Sequence, residues 1–264
     1  CWPDPVESEK TPDGRYKLAQ LVRANRALDE VCRAYKLPCI SGKDSMKNDA
    51  KLHGEKISIP PTILFSLIGN HPDVRKAVSS DFKTPGDRIY LCGESHQELG
   101  ASELAYMLRD ETQGQSGIGG RVPEIDTTRN LAMYRALTEA MQKSLVASAH
   151  DCSDGGLAVA LSECCFGSDS GARIDISAIM SDCDQIEPWG AMFGESLGRI
   201  LVSVKAENKE AFETSMIGHA CYSLGVVEEG DTISITNGDT PLISTRMSTL
   251  RKAWKETLDG GGPQ

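Results

Sequence analysis

The chain has 264 residues and a formal net charge of −10, with 39% hydrophobic, 25% charged and 5% aromatic residues, a globular composition for which two unequal domains are expected. The acidic balance argues against a nucleic-acid groove, which needs clustered Lys and Arg, and no apolar run reaches membrane-spanning length. With no secretory leader, the expected address is cytoplasmic.

The chain opens at Cys1-Trp2-Pro3-Asp4-Pro5 without an initiator Met, and residues 246–264 read as a C-terminal helix and a flexible linker, so a piece of a longer polypeptide is expected. After Thr11-Pro12-Asp13-Gly14, Leu18, Leu21, Val22, Leu28, Val31 and Cys32 mark one face of a helix from Arg15 to Tyr35, stopped by Pro38. Cys39-Ile40 forms a short apolar strand ahead of Ser41-Gly42-Lys43-Asp44-Ser45, and Thr62 to Gly69 reads as a nearly continuous apolar strand. Turn-forming and charged residues from 70 to 86 mark a boundary near Val78, giving domains 1–77 and 78–245. Beyond it come a strand Arg88 to Cys92, a helix Leu99 to Leu108 and a mobile loop Gln113 to Gly120. A long helix Thr127 to Leu145 leads to a buried strand Leu145 to Ala149, then to a helix carrying Leu157, Val159, Ala160, Leu161 and Cys164. Strands near 173–176, 199–204, 221–227, 232–236 and 241–245 are joined by a helix near 207–215 and followed by one near 247–258. Mixed strands and helices make the fold α/β. The nine cysteines show no CxxC or zinc spacing and are read as reduced core residues.

An acidic chain that binds a phosphorylated ligand must use divalent metal, helix N-termini and a few placed cations. His150-Asp151-Cys152-Ser153-Asp154-Gly155-Gly156-Leu157 has that character. Gly155 and Gly156 at a helix start let a phosphate approach unpaired backbone N–H groups, while Asp151 and Ser153 can hold a metal and a phosphate oxygen. The alternative is a turn in which Ser153 or Asp154 only caps the helix; three oxygen-bearing side chains, where one suffices for a cap, favour the ligand site. Ser41 to Ser45 has a similar make-up, with a plain polar turn as its alternative. His150 is read as a hydrogen-bonded structural residue, and Glu98 and Glu103 as acids matched to a helix dipole. Phe193 to Arg199 is read as a close-packing turn before a strand. The glycines at 114, 117, 119 and 120 follow no clear strand, so no dinucleotide site is expected.

Taken in order, Cys39-Ile40-Ser41-Gly42-Lys43-Asp44-Ser45-Met46, Glu98-Leu99-Gly100-Ala101-Ser102-Glu103, His150 through Leu157 and Phe193-Gly194-Glu195-Ser196-Leu197-Gly198-Arg199 resemble the phosphoribosylformylglycinamidine synthase family. The resemblance runs from Trp2 to the neighbourhood of Trp254 and places the chain in the aminoimidazole ribonucleotide synthetase-like superfamily. It implies the end of a second N-terminal-type domain followed by a complete second C-terminal-type domain. It also implies an ATP-dependent ligase of purine biosynthesis, the alternatives being a non-catalytic nucleotide-binding structural module or another ATP-using member of the same superfamily. Such a ligase converts formylglycinamide ribonucleotide, ATP and glutamine-derived ammonia to formylglycinamidine ribonucleotide, ADP and phosphate.

Carried over by position, the resemblance makes Asp151 a ligand of Mg2+, Gly42 and Ser153 contacts of ATP or ADP, and Ser45 a contact of the ribonucleotide substrate. No catalytic residue is assigned. The implied partners are the rest of the same polypeptide and a glutaminase domain or subunit, and the fragment alone is expected to be inactive. Lys43 stands where the short form of the family carries Asn, so it inherits no metal contact. Lys43-Asp44 resembles the large fused form, whose second-half nucleotide site is structural. Apolar residues around Ile63 to Ile68 are expected to promote self-association of the fragment.

Overall fold

The computed structural model describes residues 1–108, 120–168 and 170–256. It divides into two compact units, Cys1–Pro72 and Asp73–Gln264, a division that falls before the expected boundary near Val78. Among the described residues no helix is long and apolar enough to cross a membrane.

In the first unit, helix α1 (Gly14–Tyr35) ends at Lys36, whose left-handed φ of 56° turns the chain back over the last helical turn. The Lys36 and Leu37 amides return to the Arg33 and Cys32 carbonyls, satisfying groups that the helix end leaves open. Strands β1 (Asp49–Leu52) and β2 (Glu55–Ser58) pair antiparallel. Their turn residues His53 and Gly54 have φ of 50° and 88°, the handedness that matches the twist of a hairpin. The buried Trp2 indole donates to the Lys17 carbonyl at 2.9 Å, fastening the chain start to α1.

Two expected strands are corrected here. Neither Cys39-Ile40 nor Thr62 to Gly69 forms a strand. Thr62 exchanges backbone hydrogen bonds with Cys1, but beyond it no described strand lies alongside, and Leu64, Leu67 and Ile68 stay 89%, 78% and 90% exposed. Apolar composition favours a strand only where a neighbour accepts its backbone groups.

The second unit contains β3 (Arg88–Cys92), α2 (Glu103–Met107), α3 (Thr127–Gln142), β4 (Ser148–Asp151), α4 (Gly156–Phe166) and β5 (Ser170–Asp175). These are followed by α5 (Ser177–Asp182), α6 (Pro188–Phe193), β6 (Ile200–Val204), α7 (Lys209–Ser215), β7 (Cys221–Glu229), β8 (Thr232–Asn237), β9 (Thr240–Arg246) and α8 (Met247–Glu256). The strands form one mixed sheet in the order β4-β6-β3-β7-β5-β8-β9. All neighbours are antiparallel except β5 and β8, which run parallel.

Alternation along the strands builds a core on each face of the sheet. Ile89 and Leu91 of β3 join Leu157 and Leu161 of α4, Ile179 of α5, Met192 of α6 and Met247 of α8. Tyr90 and Cys92 face the other way, against Met133 and Leu137 of α3 and Phe212 of α7. Each fully buried Leu or Ile contributes about 1.5–3 kcal/mol relative to exposure. Helix α4 is apolar nearly all round because it lies against the sheet, α6 and α8, and seven of its eleven residues are buried. It is therefore a rigid mount for the turn that precedes it.

Several boundaries differ from expectation. Helix α3 stops at Gln142 and β4 begins at Ser148, three residues later than predicted, because Leu145 folds back onto the Ala140 carbonyl before pairing with the sheet starts. The strand consequently includes His150 and Asp151. The predicted helix at 99–108 contracts to α2, and α5 and α6 were not anticipated. The loop Gln113 to Gly120, apart from Gly120, and tail residues 257–264 lie outside the described residues. All nine cysteines are free, but Cys1 and Cys39 are exposed and not core residues, while Cys92, Cys152, Cys164 and Cys165 are buried.

Candidate functional site

The register of β4 on β6 sets the site. Asp151 lies opposite Ile200, and the Cys152 amide continues the pairing with a 3.0 Å bond to the Arg199 carbonyl. Residues that follow Asp151 are thus brought beside residues that precede Ile200. Gly155 and Gly156 take left-handed φ of 76° and 65° to turn the chain into α4. At Gly156 a side chain would also collide with the Gly194 carbonyl, so the two loops touch through backbone alone.

Asp151 and Ser153 meet directly. The Ser153 hydroxyl donates to Asp151 Oδ2, and both residues are exposed beside Asp154. His150 donates from Nδ1 to the Asp151 carbonyl at 2.7 Å, and its Nε2 lies 3.3 Å from Glu163 Oε2. This matches its reading as a structural residue. Cys152, buried beneath the turn, has its thiol pushed up to about 11 by burial, which keeps it neutral.

The Gly155 amide is not open to a ligand. It donates to Glu195 Oε1 at 2.9 Å, and the same oxygen accepts the Glu103 amide at 2.9 Å, while the Gly156 amide turns back to the Ser153 carbonyl at 3.0 Å. A carboxylate of the chain itself satisfies the first amide of the turn expected to receive phosphate, leaving Asp151, Ser153 and Asp154 to face a ligand. Glu195 is held in turn by its neighbours. Its amide donates to the Glu98 carbonyl at 3.2 Å, and the buried Arg199 guanidinium donates to the Gly194 carbonyl, to the Ser196 carbonyl at 3.2 Å and to Ser95 Oγ at 3.2 Å. Burial pulls the Arg199 pKa down.

Sequence reasoning missed Glu195 and Arg199 as supports of the turn. The signal available was a Glu and an Arg framing Ser-Leu-Gly immediately before a strand, which becomes informative only when β6 is known to pair with β4. Glu98 and Glu103 are separated in role. Glu98 is fully buried and accepts the Glu124 amide at 3.2 Å, whereas Glu103 begins α2, capped by the Ser102 hydroxyl.

Two clefts flank Asp151. One, of about 360 Å³, is lined by Asp151, Ser153, Asp154, Glu195 and residues 198 to 200. The other, of about 500 Å³, is lined mainly by Tyr134, Leu137 and Met141 of α3 with Ala149 and His150. Tyr134, Asp151 and Ile200 border both. Both clefts have largely apolar walls, and the smaller adds the Asp151, Asp154 and Glu195 carboxylates and the Ser153 hydroxyl. Among the described residues no three His, Cys, Asp or Glu side chains converge as a metal cage. Asp151 is an exposed carboxylate at this turn, the donor type that a hard cation takes alongside phosphate oxygens and water.

Gly42 and Ser45 belong to the first unit. Gly42 has open space where a side chain would stand, Lys43 Nζ donates to Ser45 Oγ at 2.7 Å, and the Ser45 carbonyl accepts the Trp2 amide at 2.8 Å. The segment belongs to no helix or strand, so it is not a helix start.

Comparison with known proteins places this architecture. A family model described as AIR synthase related protein, C-terminal domain, matches residues 84–237. Among solved structures, Thermotoga maritima PurL complexed with FGAR is similar with a TM-score of 0.63 and 15% identity, covering 84% of this chain and 36% of that one. The same protein complexed with ADP gives a TM-score of 0.57 at 15% identity, covering 84% and 33%. Phosphoribosylformylglycinamidine synthase II of Thermotoga maritima gives 0.55 at 18% identity, covering 67% and 28%. The chain spans about a third of the length of these structures, and at such identities the likeness is one of fold. With the mixed sheet, its two helical layers and the match over residues 84–237, the chain belongs to the AIR synthase related proteins and carries their C-terminal domain.

Proposed function

We propose that the chain is part of an ATP-dependent ligase of purine biosynthesis, the enzyme that converts formylglycinamide ribonucleotide, ATP and glutamine-derived ammonia to formylglycinamidine ribonucleotide, ADP and phosphate. Residues 1–77 are the end of its second N-terminal-type domain, and 78–245 its second C-terminal-type domain. The observation that carries this reading is the pairing of Asp151 with Ser153 at the mouth of a strand-to-helix turn, between two clefts that share Tyr134, Asp151 and Ile200. The four ordered sequence motifs and the similarity to PurL structures complexed with FGAR and with ADP support it.

Asp151 would hold Mg2+ and Ser153 a phosphate oxygen of ATP or ADP, with Gly42 as a further nucleotide contact and Ser45 as a substrate contact. A cation held there would offset the charge of the nucleotide phosphates, in keeping with the structural nucleotide site that the resemblance of Lys43-Asp44 implies. The chain's own contribution is placement: α4 and Glu195 fix the turn, and Ser153 orients the Asp151 carboxylate. The remaining synthetase polypeptide and a glutaminase domain or subunit are the partners. The fragment alone is inactive and self-associates through the exposed Ile63 to Ile68 segment, which light scattering over a concentration series would register as rising mass.

Calorimetric titration with Mg2+ and ADP tests the site. Wild type is expected to bind ADP only with the metal present, and Asp151→Ala, folded by circular dichroism, to lose that binding. Metal-independent binding, or equal binding by Asp151→Ala, would remove the assignment. Turnover of formylglycinamide ribonucleotide with ATP and ammonia at the rate of an intact synthetase would overturn the inactivity of the fragment.

A further inference from the structure

Cys32 with Cys39 and Cys92 with Cys221 are two close thiol pairs of this chain. Cys32 lies in the last turn of α1 and Cys39 follows Pro38, yet their sulfurs stand 3.7 Å apart because the left-handed Lys36 folds the chain back along the helix. Cys39 is exposed and Cys32 half-buried, and both line one open groove with Asp29, Arg33 and Lys36. Cys92 and Cys221 also stand 3.7 Å apart, directly opposite each other on β3 and β7, but there Cys92 is enclosed and the two thiols share a hydrogen bond inside the sheet. The two pairs have the same separation and differ in access to solvent.

We propose that Cys32 and Cys39 form an oxidation site that closes to a disulfide by exchange with a low-molecular-weight disulfide. The exposed Cys39, as thiolate, attacks one sulfur of the reagent, forming a mixed disulfide and releasing one reagent thiolate. Cys32, as thiolate, then attacks Cys39 Sγ, forming the Cys32–Cys39 bond and expelling the second reagent thiolate. Two protein thiols are oxidised, one reagent disulfide is reduced to two thiols, and the two protons lost by the cysteines are taken up by the released thiolates or solvent. The order follows from burial, which pushes the Cys32 thiol up and leaves Cys39 as the accessible nucleophile. Closure to a bond of about 2.05 Å requires an approach of roughly 1.7 Å, within the reach of side-chain rotation. The bridge pins Leu37 to Cys39 against the end of α1 and fixes the chain two residues ahead of Ser41.

The test is to incubate the native chain with graded ratios of oxidised to reduced glutathione, quench in acid, block free thiols and map tryptic peptides by mass spectrometry. The expected result is a cross-link between Ala27–Arg33 and Leu37–Lys43, formed before any link between Cys92 and Cys221. Cys32→Ser is expected to stop at a glutathione adduct on Cys39, and Cys39→Ser to leave Cys32 unmodified. Hydrogen exchange of the bridged form should slow across Leu37 to Ser41. A wild-type chain that stops at the Cys39 adduct, or that links Cys92 to Cys221 first, would overturn the proposal, as would unchanged exchange in the bridged form for the restraint it assigns.

Discussion

One oxygen of Glu195 accepts the Gly155 amide and the Glu103 amide, each at 2.9 Å, and so joins the starts of α4 and α2. Both amides belong to helix ends, where backbone N–H groups lack helical partners and a negative charge is favoured by the peptide dipoles. The carboxylate therefore satisfies two helix-start donors, the half-buried Gly155 amide and the exposed Glu103 amide. Glu195→Ala is expected to lower stability by about 1–3 kcal/mol, and Glu195→Gln by less, since its amide oxygen still accepts. Urea denaturation of the three chains checks this. An Ala variant as stable as wild type would mean that water serves the two amides equally well.

Gly156 makes a sharper demand. Its φ of 65° already disfavours a side chain, and a Cβ there would strike the Gly194 carbonyl and crowd the Met192 carbonyl at 3.0 Å. Gly54, in the β1–β2 turn, has φ of 88° but nothing within 4 Å of the same position. Gly54→Ala is expected to cost about 1 kcal/mol from backbone conformation alone. Gly156→Ala should cost at least twice that, because two loops must separate as well. Comparable denaturation midpoints for the two variants would show that the loops can move apart freely.

Much of the second unit is legible in the chain because its elements are self-sufficient. Arg88 to Cys92 is a short continuous apolar run, β7 and β8 alternate over much of their length, and α3 has a long apolar stripe with Asp126 at its start, accepting the Thr128 and Arg129 amides. The glycine pair at a helix start is equally local. Glu195 and Arg199 are not, since their meaning depends on which strand lies beside β4, a fact carried by pairing and not by spacing. Helices α5 and α6 have six residues each, too few for periodicity to declare itself. Thr62 to Gly69 misleads for the opposite reason: its composition suits a strand, but a strand is a property of two neighbours.

Arg199 gives a test of whether the Gly194–Gly198 loop is held by shape or only by charge. Its side chain is 1% exposed and spreads three donors over the Gly194 carbonyl, the Ser196 carbonyl and Ser95 Oγ. A lysine carries the same charge on one compact head and cannot reach three acceptors in a planar array. Arg199→Lys is therefore expected to lose about 2–4 kcal/mol through unsatisfied carbonyls and the burial of an ammonium. Thermal unfolding should show a fall of several degrees. If Lys and Arg gave the same Tm, charge alone would suffice and the fork geometry would be irrelevant.

The buried thiols set a limit on stability in alkali. Burial pushes Cys152 up to about 11 and Cys165 up to about 12, while a thiol in the unfolded chain ionises near about 8.5. The fold thus prefers the neutral thiols, and the unfolded chain loses their protons first as pH rises. The associated stability is fully present below about 8.5 and is lost progressively as pH climbs through the folded values, at about 1.4 kcal/mol per pH unit for each thiol. Cys165→Ala removes one of these groups, at the constant cost of a small cavity. Its urea midpoint should start below that of wild type at pH 7 and then decline less steeply between pH values of about 8.5 and 11, so that the two curves converge. Parallel curves over that window would show that Cys165 ionises alike in the folded and unfolded chains, and that its burial in the core does not hold the proton.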